Sequence, residues 1–308
     1  MAVSNVEGAV RVICGPTAAG KTFAALWFAR QADVSVISAD SRQVYRGFDV
    51  GTAKPTPKEL TAVPHVGIDI LDPRQRFSAA GWATSANAWI SEIEGARRVP
   101  VVVGGTGLYL RALFGSLFDE PALGEVHREQ LQQWLDAQGT EELRRWVLQL
   151  DPTRAHLGRT QLLRAIEIAL LTGQRVSDLH RRNARAPLRS ARYLVVDPGP
   201  VLADTIERRV HAMVLGGWQD EVRRLMLTVP PDAPAWNATG YQAIREAVEG
   251  KTSIEEAARR ITIATRQYAK RQRTWFRHQL AGEDVTRLST DQPDWAERAL
   301  AWWKGGDA

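Results

Sequence analysis

The feature that most constrains the fold is a glycine-rich segment near the start of the chain, GPTAAGKT at residues 15–22. It matches the phosphate-binding pattern G-x-x-x-x-G-K-[ST] at every fixed position. The apolar, β-branched run Ala9–Cys14 before it predicts a strand, and the residues from Lys21 to about Ala32 predict a helix. A strand that runs through a glycine loop into a helix is the architecture in which this pattern binds phosphate. The alternative is a glycine turn with a solvated lysine.

The residue types of the loop suit a phosphate ligand. Small residues let the backbone curl, so that its N–H groups and the helix N-terminus point at phosphate oxygens. Lys21 adds a positive charge, and the hydroxyl of Thr22 is a candidate ligand for Mg²⁺. We therefore predict a diphosphate- or nucleotide-binding site formed by Gly15, Pro16, Thr17, Ala18, Ala19, Gly20, Lys21 and Thr22.

The rest of the chain predicts an α/β protein with an insertion. Further strands are expected at 34–38, 66–70 and 99–103, with a helix over 79–98. Strands that alternate with helices predict a P-loop NTPase-like parallel sheet flanked by helices. Charged, Leu- and Trp-rich segments at 125–150 and 161–171 predict an inserted α-helical domain. We assign 1–115 and 191–308 to the core and 116–190 to the insertion, and leave the polar tail after about residue 281 unassigned.

Charge and cysteine usage limit the class of protein. The balance of 40 Lys+Arg against 35 Asp+Glu gives a net charge of +5, which is compatible with a polyanionic partner. The single cysteine, Cys14, excludes an intramolecular disulfide, and the N-terminus lacks signal-peptide features. No run approaches the roughly 20 apolar residues of a membrane span. We expect a cytoplasmic protein that has no membrane partner and is a monomer.

Two arginine-rich segments are candidate binding surfaces for a polyanionic partner. Six arginines stand at 175, 181, 182, 185, 189 and 192, and we favour their contact with phosphates. In the second segment the basic residues are spaced for a single helical stripe, formed by Arg266, Lys270, Arg273 and Arg277. Such a stripe either lies along a phosphate backbone or is a solvated basic face. Tyr268 and Trp275, on another face, are expected to pack in the core.

Asp40 is a candidate catalytic residue, and Thr106 is a candidate further donor to a bound diphosphate or, like Ser41 and Gln43, a polar residue at the rim of the site. Asp40 and Thr106 each follow a predicted strand, so each lies at the carboxyl edge of the sheet, where ligands of open α/β folds bind. Asp40 is a candidate general base, and its alternatives are a turn cap or a magnesium ligand. The strand at 99–103 ends in GGTG without a carboxylate, which argues against a motor or a kinase.

Several segments in the same order resemble the tRNA dimethylallyltransferase (IPP transferase) family. ISADSRQVYRGFDVGTAKP at 37–55 follows the phosphate-binding loop directly. The further matches are PHVGID at 64–69, VVVGGTGLYLRAL at 101–113, RAIEI at 164–168 and TRQYAKRQRTWFR at 265–277. The resemblance covers most of the chain and is far more specific than the loop alone.

The resemblance implies an activity and its partners. These are dimethylallyl diphosphate, Mg²⁺, and the adenosine at position 37 in the anticodon stem-loop of tRNA, 3′ of the anticodon. Asp40 would take the proton from the adenine amine, and Thr106 would bind the bridging or leaving oxygen. The residues that would contact tRNA are Asp40, Ser41, Arg42, Gln43, Thr106, Arg128, Thr160, Gln161, Leu162, Leu163 and Arg164.

The chain departs from the family pattern at a few positions. Gln161 stands where an arginine is common, Gln242 replaces a frequent basic residue, and PHVGID is a variant run. Three other functions stay open: a small-metabolite kinase using ATP, prenylation of free AMP, and noncatalytic RNA binding. The helical insertion and the basic helix favour a large RNA substrate over AMP.

Overall fold

The computed structural model describes residues 8–115, 125–182 and 187–305. The chain divides into two compact units, one formed by 1–114 with 188–308 and the other by 115–187. In the described part of the chain, no helix is long and apolar enough to cross a membrane.

The first unit is built on a parallel sheet of six strands in its described residues. These are β1 (Ala9–Cys14), β2 (Val34–Ser38), β3 (His65–Val66), β4 (Val99–Gly104), β5 (Ser190–Val196) and β6 (Val285–Leu288). Their order across the sheet is β3-β2-β4-β1-β5-β6, and every neighbouring pair is parallel. The predicted fold class, an α/β parallel sheet flanked by helices, is therefore confirmed. Because β4 lies between β1 and β2, the loops that follow these three strands meet at one edge.

Helices cover both faces of the sheet, because successive strand residues point to opposite sides. On β1, Val12 and Cys14 belong to one buried cluster and Ile13 to another. The helices of this unit are α1 (Lys21–Phe28), α2 (Pro57–Ala62), α3 (Ala79–Gly95), α4 (Gly107–Phe114), α9 (Leu202–Leu215), α10 (Trp218–Thr228), α11 (Tyr241–Val248), α12 (Ile254–Gln279) and α13 (Trp295–Lys304). Side chains of α3, α4 and α12 pack on the first face, and those of α1 and α13 on the second.

A further apolar cluster lies among the helices that follow β5. It joins α9, α10, α11 and α12 to the segment after β2, through Val44 and Phe48. This cluster lines an apolar cavity next to the phosphate-binding loop.

The second unit is helical, with α5 (Glu125–Asp136), α6 (Thr140–Leu150), α7 (Arg159–Thr172) and α8 (Val176–Arg182). Its own core includes Leu143, Val147, Leu162 and Ile166. The fully buried Asp151 accepts hydrogen bonds from the Ser177 backbone and the Thr153 hydroxyl, which fixes the connection between α6 and α8.

The strands β1 and β2 have the predicted bounds, whereas several other elements differ from the prediction. The helix α1 ends at Phe28, four residues early. The strand β3 has only two residues because Gly67 and Asp69, with φ of 80° and 55°, leave the extended region. The unassigned tail contains β6, which pairs with β5, and α13, whose Trp302 is fully buried. Its polar composition concealed a strand that is completed only by its neighbour.

The buried Trp302 predicts how strongly the tail stabilises the core. Its indole N–H has no hydrogen-bond partner among the described residues, so its contribution is apolar packing. We expect Trp302→Ala to lower the free energy of unfolding by about 3–5 kcal/mol, and Trp302→Phe by clearly less. Urea titration followed by circular dichroism measures both. The exposed Leu227 supplies the control, since Leu227→Ala should change the free energy of unfolding by less than about 0.5 kcal/mol. Equal values for Trp302→Ala and Leu227→Ala would contradict this account.

Candidate functional site

The phosphate-binding loop leaves β1 in a backbone shape that its residues dictate. Gly15 has a φ of 144°, and a Cβ there would lie 2.1 Å from the backbone oxygen of Val196. Only glycine therefore fits at the first position of the loop. Lys21 opens α1, and its Nζ donates to the backbone oxygens of Gly15 at 3.1 Å and Pro16 at 2.7 Å. The lysine is thus held over the loop without a ligand.

Two cations at this loop, Lys21 and Arg209, are influenced by the charge of Asp40. Lys21, Arg209 and Asp40 line one cleft, whose volume is about 330 Å³. Burial and, after it, the charge of Arg209 lower the pKa of Lys21 to about 8, while Asp40 opposes the shift. Burial also lowers the pKa of the Arg209 guanidinium. Cationic groups crowded in a poorly hydrated cleft are stabilised by an anionic ligand, so this cleft suits a diphosphate.

A third cation in the cleft is already neutralised. Lys54 donates to the backbone oxygen of Tyr45 and to the carboxylates of Asp49 and Asp69. Its side chain is only 5% exposed. Lys54 therefore stabilises the loop before α2 and adds little free charge for a ligand.

Asp40 and Thr106 lie on adjacent loops that are hydrogen-bonded to each other. The backbone N–H of Ser41 donates to Thr106 Oγ1 at 3.1 Å, and the Thr106 N–H donates to the Ala39 oxygen at 3.2 Å. One oxygen of Asp40 accepts from the Arg42 N–H at 2.8 Å. Asp40 therefore caps a turn, which was one of the alternative roles expected for it. Among the described residues, its second carboxylate oxygen accepts no hydrogen bond.

Gln272 of α12 joins two of the three loops. Its amide oxygen accepts from the Thr17 backbone N–H at 2.8 Å, and its Nε2 donates to the Gly105 oxygen at 2.8 Å. The side chain is 7% exposed, so both bonds are sheltered from water. The loop after β1 and the loop after β4 are therefore held at a fixed separation by one amide.

A second, apolar cavity of about 80 Å³ adjoins the cleft. The residues that line both are Thr17, Asp40, Thr52, Arg209 and Tyr268. Beyond them the cavity is lined mainly by side chains of the apolar cluster, including Ile206, Val210, Met213, Trp218 and Ile261. The arrangement offers an anion-binding side and an apolar side with Asp40 at their boundary.

The segment that carries Gly51 and Thr52 is anchored by buried polar groups. The carboxylate of Glu221 is 3% exposed and accepts from the backbone N–H groups of Asp49 at 3.0 Å and Val50 at 2.7 Å. It also accepts from the Tyr241 hydroxyl at 2.6 Å. From the other side, Gln43 donates to the backbone oxygens of Thr52 and Ala53, while its amide oxygen lies 3.0 Å from Ser38 Oγ. The Gln43 amide is thus engaged inside the fold.

The predicted RNA-contacting residues of the insertion divide into exposed and buried ones. Thr160 and Gln161 are exposed in the first turn of α7, whereas Leu162 is fully buried and Leu163 partly so. Arg128 and Arg164 both form ion pairs with Glu167, which is 5% exposed. Their contact with RNA stays a prediction, and the geometry favours the exposed residues.

The basic stripe of α12 is smaller than its spacing predicts. Arg266 forms an ion pair with Glu207, and Arg273 forms one with Asp197. Residue periodicity on one helix does not reveal acids on other elements. Arg266, Lys270 and Arg277 are exposed, whereas Arg273 is partly buried, and the contact of this stripe with RNA stays a prediction.

The earlier arginine cluster spans both units. Arg189 pairs with Glu94, and Arg192 donates to the backbone oxygens of Trp302 and Gly305, all within the first unit. Arg181 pairs with Asp178 in the second unit. Arg185 and the side chain of Arg182 lie outside the described residues.

Sequence reasoning missed two residues of the site. Arg209 interrupts an apolar stripe of α9 that runs through Ile206, Val210 and Met213, and this interruption is the signal that could have found it. Tyr268 was expected in the core, but it lines the cleft and lies within hydrogen-bonding reach of Thr106. Burial, followed by the charge of Asp40, raises the pKa of Tyr268 to about 12, so the phenol stays protonated.

Comparison with known proteins identifies the relatives of this chain. A family model described as IPP transferase matches residues 43–279. The tRNA dimethylallyltransferase of Agrobacterium fabrum is 38% identical over 285 residues, which cover 90% of this chain and 95% of that protein. That of Thermomicrobium roseum is 41% identical over 302 residues, covering 96% and 90%.

Solved structures agree with the sequence relatives. The tRNA isopentenylpyrophosphate transferase of Bacillus halodurans is 34% identical with a TM-score of 0.65, and the match covers 96% of this chain and 94% of that one. A eukaryotic dimethylallyltransferase acting on tRNA is 25% identical with a TM-score of 0.77, covering 96% and 78%.

The Gln272 amide predicts the cost of loosening the phosphate-binding loop. Gln272→Ala leaves the Thr17 N–H and the Gly105 oxygen without their partner, so the loop is less ordered before it binds an anion. We expect the Kd for inorganic diphosphate, measured by isothermal titration calorimetry, to rise on the order of tenfold. Gln267→Ala changes an exposed glutamine of the same helix and should leave the Kd unchanged. An unaltered Kd in a folded Gln272→Ala protein would show that these two hydrogen bonds do not prepare the loop for the anion.

Proposed function

This chain belongs to the IPP transferase family, and from that membership and its site we propose that it transfers a dimethylallyl group from dimethylallyl diphosphate to tRNA. The acceptor is N6 of the adenosine at position 37, in the anticodon stem-loop. The products are N6-(dimethylallyl)adenosine and diphosphate.

One observation carries this proposal beyond family membership. Asp40 lines both the phosphate-loop cleft and the apolar cavity. A dimethylallyl diphosphate bound with its anion at the loop and its apolar tail in the cavity has its reactive carbon near that boundary. The fold therefore supplies complementary environments for both ends of the donor.

The residues act on the leaving group and on the acceptor. Loop amides, Lys21 and Arg209 stabilise the negative charge that develops on diphosphate as the carbon–oxygen bond breaks. The adenine amine forms the new carbon–nitrogen bond, and Asp40 accepts the proton that the amine loses. Thr106 and the protonated Tyr268 are hydroxyl donors for the leaving oxygen. Fixing donor and amine together lowers the barrier, because a purine amine is a weak nucleophile.

The donor atoms of the cleft fit a magnesium ion that is bound mostly through substrate. Mg²⁺ keeps several waters and commonly takes one or two protein oxygens plus substrate phosphates. Thr22 and Asp40 line this cleft, while no cluster of three or more His, Cys, Asp or Glu able to hold a metal exists in the described ranges. Thr22 would hold the ion, which supplies charge neutralisation of the diphosphate.

The acceptor distinguishes this function from its nearest alternative, prenylation of free AMP. The test incubates the protein with Mg²⁺, radiolabelled dimethylallyl diphosphate and either unmodified tRNA or AMP, followed by nucleoside analysis. Label on a tRNA adenosine supports the proposal. Label on AMP alone, or none on either acceptor, overturns it.

The role of Asp40 is separable from its turn-capping bond. Asp40→Asn keeps an oxygen that can accept from the Arg42 N–H but is no longer a carboxylate base. We expect its single-turnover rate to fall on the order of a hundredfold or more, with tRNA binding unchanged. Glu59→Gln changes the other carboxylate lining the cleft and should retain the rate. A near-normal rate in Asp40→Asn would show that Asp40 only caps the turn.

The pKa of Lys21 predicts a pH dependence of donor binding. Below pH about 8 the free enzyme carries the ammonium, and above it the lysine is neutral, so affinity for the diphosphate should fall as pH rises. We expect the KM for dimethylallyl diphosphate to increase between pH 8 and 9.5. Lys21→Arg keeps its charge over this range and should flatten the dependence. An equally steep profile in Lys21→Arg would assign the titration to another group.

A further inference from the structure

Trp218 lines the apolar cavity but not the adjoining phosphate-loop cleft. Trp218 is the first residue of α10 and is 1% exposed. It packs against Tyr241 in a T-shaped contact, with ring centroids 5.4 Å apart and planes at 77°. Its size and position therefore limit how far this cavity extends.

Two glycines make room for this indole. A Cβ at Gly51 would lie 2.3 Å from the Cε2 and Cζ2 atoms of the ring, and a Cβ at Gly240 would lie 2.3 Å from Cη2. Both distances are far shorter than any real contact. The ring therefore occupies space that side chains at these two positions would fill, and close packing fixes its place.

The indole N–H of Trp218 has no hydrogen-bond partner in the described part of the chain. An unpaired buried donor costs free energy, so what this side chain contributes here is its volume. A smaller apolar residue would enlarge the cavity without breaking a hydrogen bond.

We infer that Trp218, seated between Gly51 and Gly240, restricts the prenyl donor to five carbons by filling the space that a longer allylic chain needs. The inference rests on the proposed dimethylallyl transfer. The present cavity of about 80 Å³ is small, and a geranyl chain carries a second isoprene unit. Trp218 is a specificity-determining residue in this account and leaves the chemical step to the groups around Asp40.

Removing the indole should admit geranyl diphosphate as a donor. In that reaction the carbon–oxygen bond of geranyl diphosphate breaks and its electron pair leaves with diphosphate. The adenine N6 bonds to the same carbon, and Asp40 takes the amine proton. The balance is identical to that of the dimethylallyl reaction, so only the shape of the apolar cavity has to change.

The experiment compares kcat/KM for dimethylallyl and geranyl diphosphate with tRNA as acceptor. We expect Trp218→Ala to raise the geranyl-to-dimethylallyl ratio on the order of 10- to 100-fold over the unaltered protein. Trp302→Ala is the matched control, because it removes another fully buried indole with an unpaired N–H from a different cluster. Its ratio should not change.

A refilling variant tests shape directly. In Trp218→Ala combined with Gly51→Val, the valine enters the vacated space from the facing backbone, and the ratio should return toward that of the unaltered protein. If Trp218→Ala does not fold, as judged by circular dichroism, Trp218→Leu should give a smaller shift in the same direction. An unchanged ratio in a folded Trp218 variant overturns the inference, as does an equal shift in Trp302→Ala. Failure of the unaltered protein to use dimethylallyl diphosphate would instead defeat the proposed function.

Discussion

The side-chain amide of Gln272 joins parts of the chain that the sequence separates by more than a hundred residues. It pairs with the Thr17 N–H in the phosphate-binding loop and with the Gly105 oxygen after β4. Buried backbone groups need hydrogen-bond partners, and for the Thr17 N–H and the Gly105 oxygen the Gln272 side chain is that partner. Tyr268, one turn earlier on α12, reaches Thr106, which in turn binds the loop that carries Asp40. The separation of phosphate loop, hydroxyl and carboxylate thus depends on one helix near the end of the chain.

That dependence explains how a cleft with concentrated charge keeps its shape. Lys54 is compensated by two carboxylates, while Lys21 and Arg209 share the charge of Asp40. The lowered pKa of Lys21 shows that water compensates these cations poorly. A bound diphosphate offsets the electrostatic cost of these cations, and this compensation favours binding of the donor.

The sequence predicted those parts of the site that lie within one continuous segment. The phosphate-binding loop, β1 and β2 follow from local pattern, and the parallel order of the strands then brings Asp40 and Thr106 to one edge. What it did not predict depends on pairing between distant elements. Arg266 and Arg273 have helical spacing suited to RNA, yet acids from α9 and the end of β5 pair with them. The strand β6 has no apolar signature because the sheet, rather than its own composition, stabilises it.

The helix α9 shows why an arginine in an apolar stripe indicates a binding site. Ile206, Val210 and Met213 share its buried face and line the apolar cavity, and Arg209 lies between them on the same face. A guanidinium among such neighbours is costly unless a charged partner compensates it. Asp40 is the acid whose charge acts on it, but that charge also acts on Lys21. Because Lys21 and Arg209 share the charge of Asp40, the positive charge beside the cavity is complementary to a donor that is anionic at one end and apolar at the other.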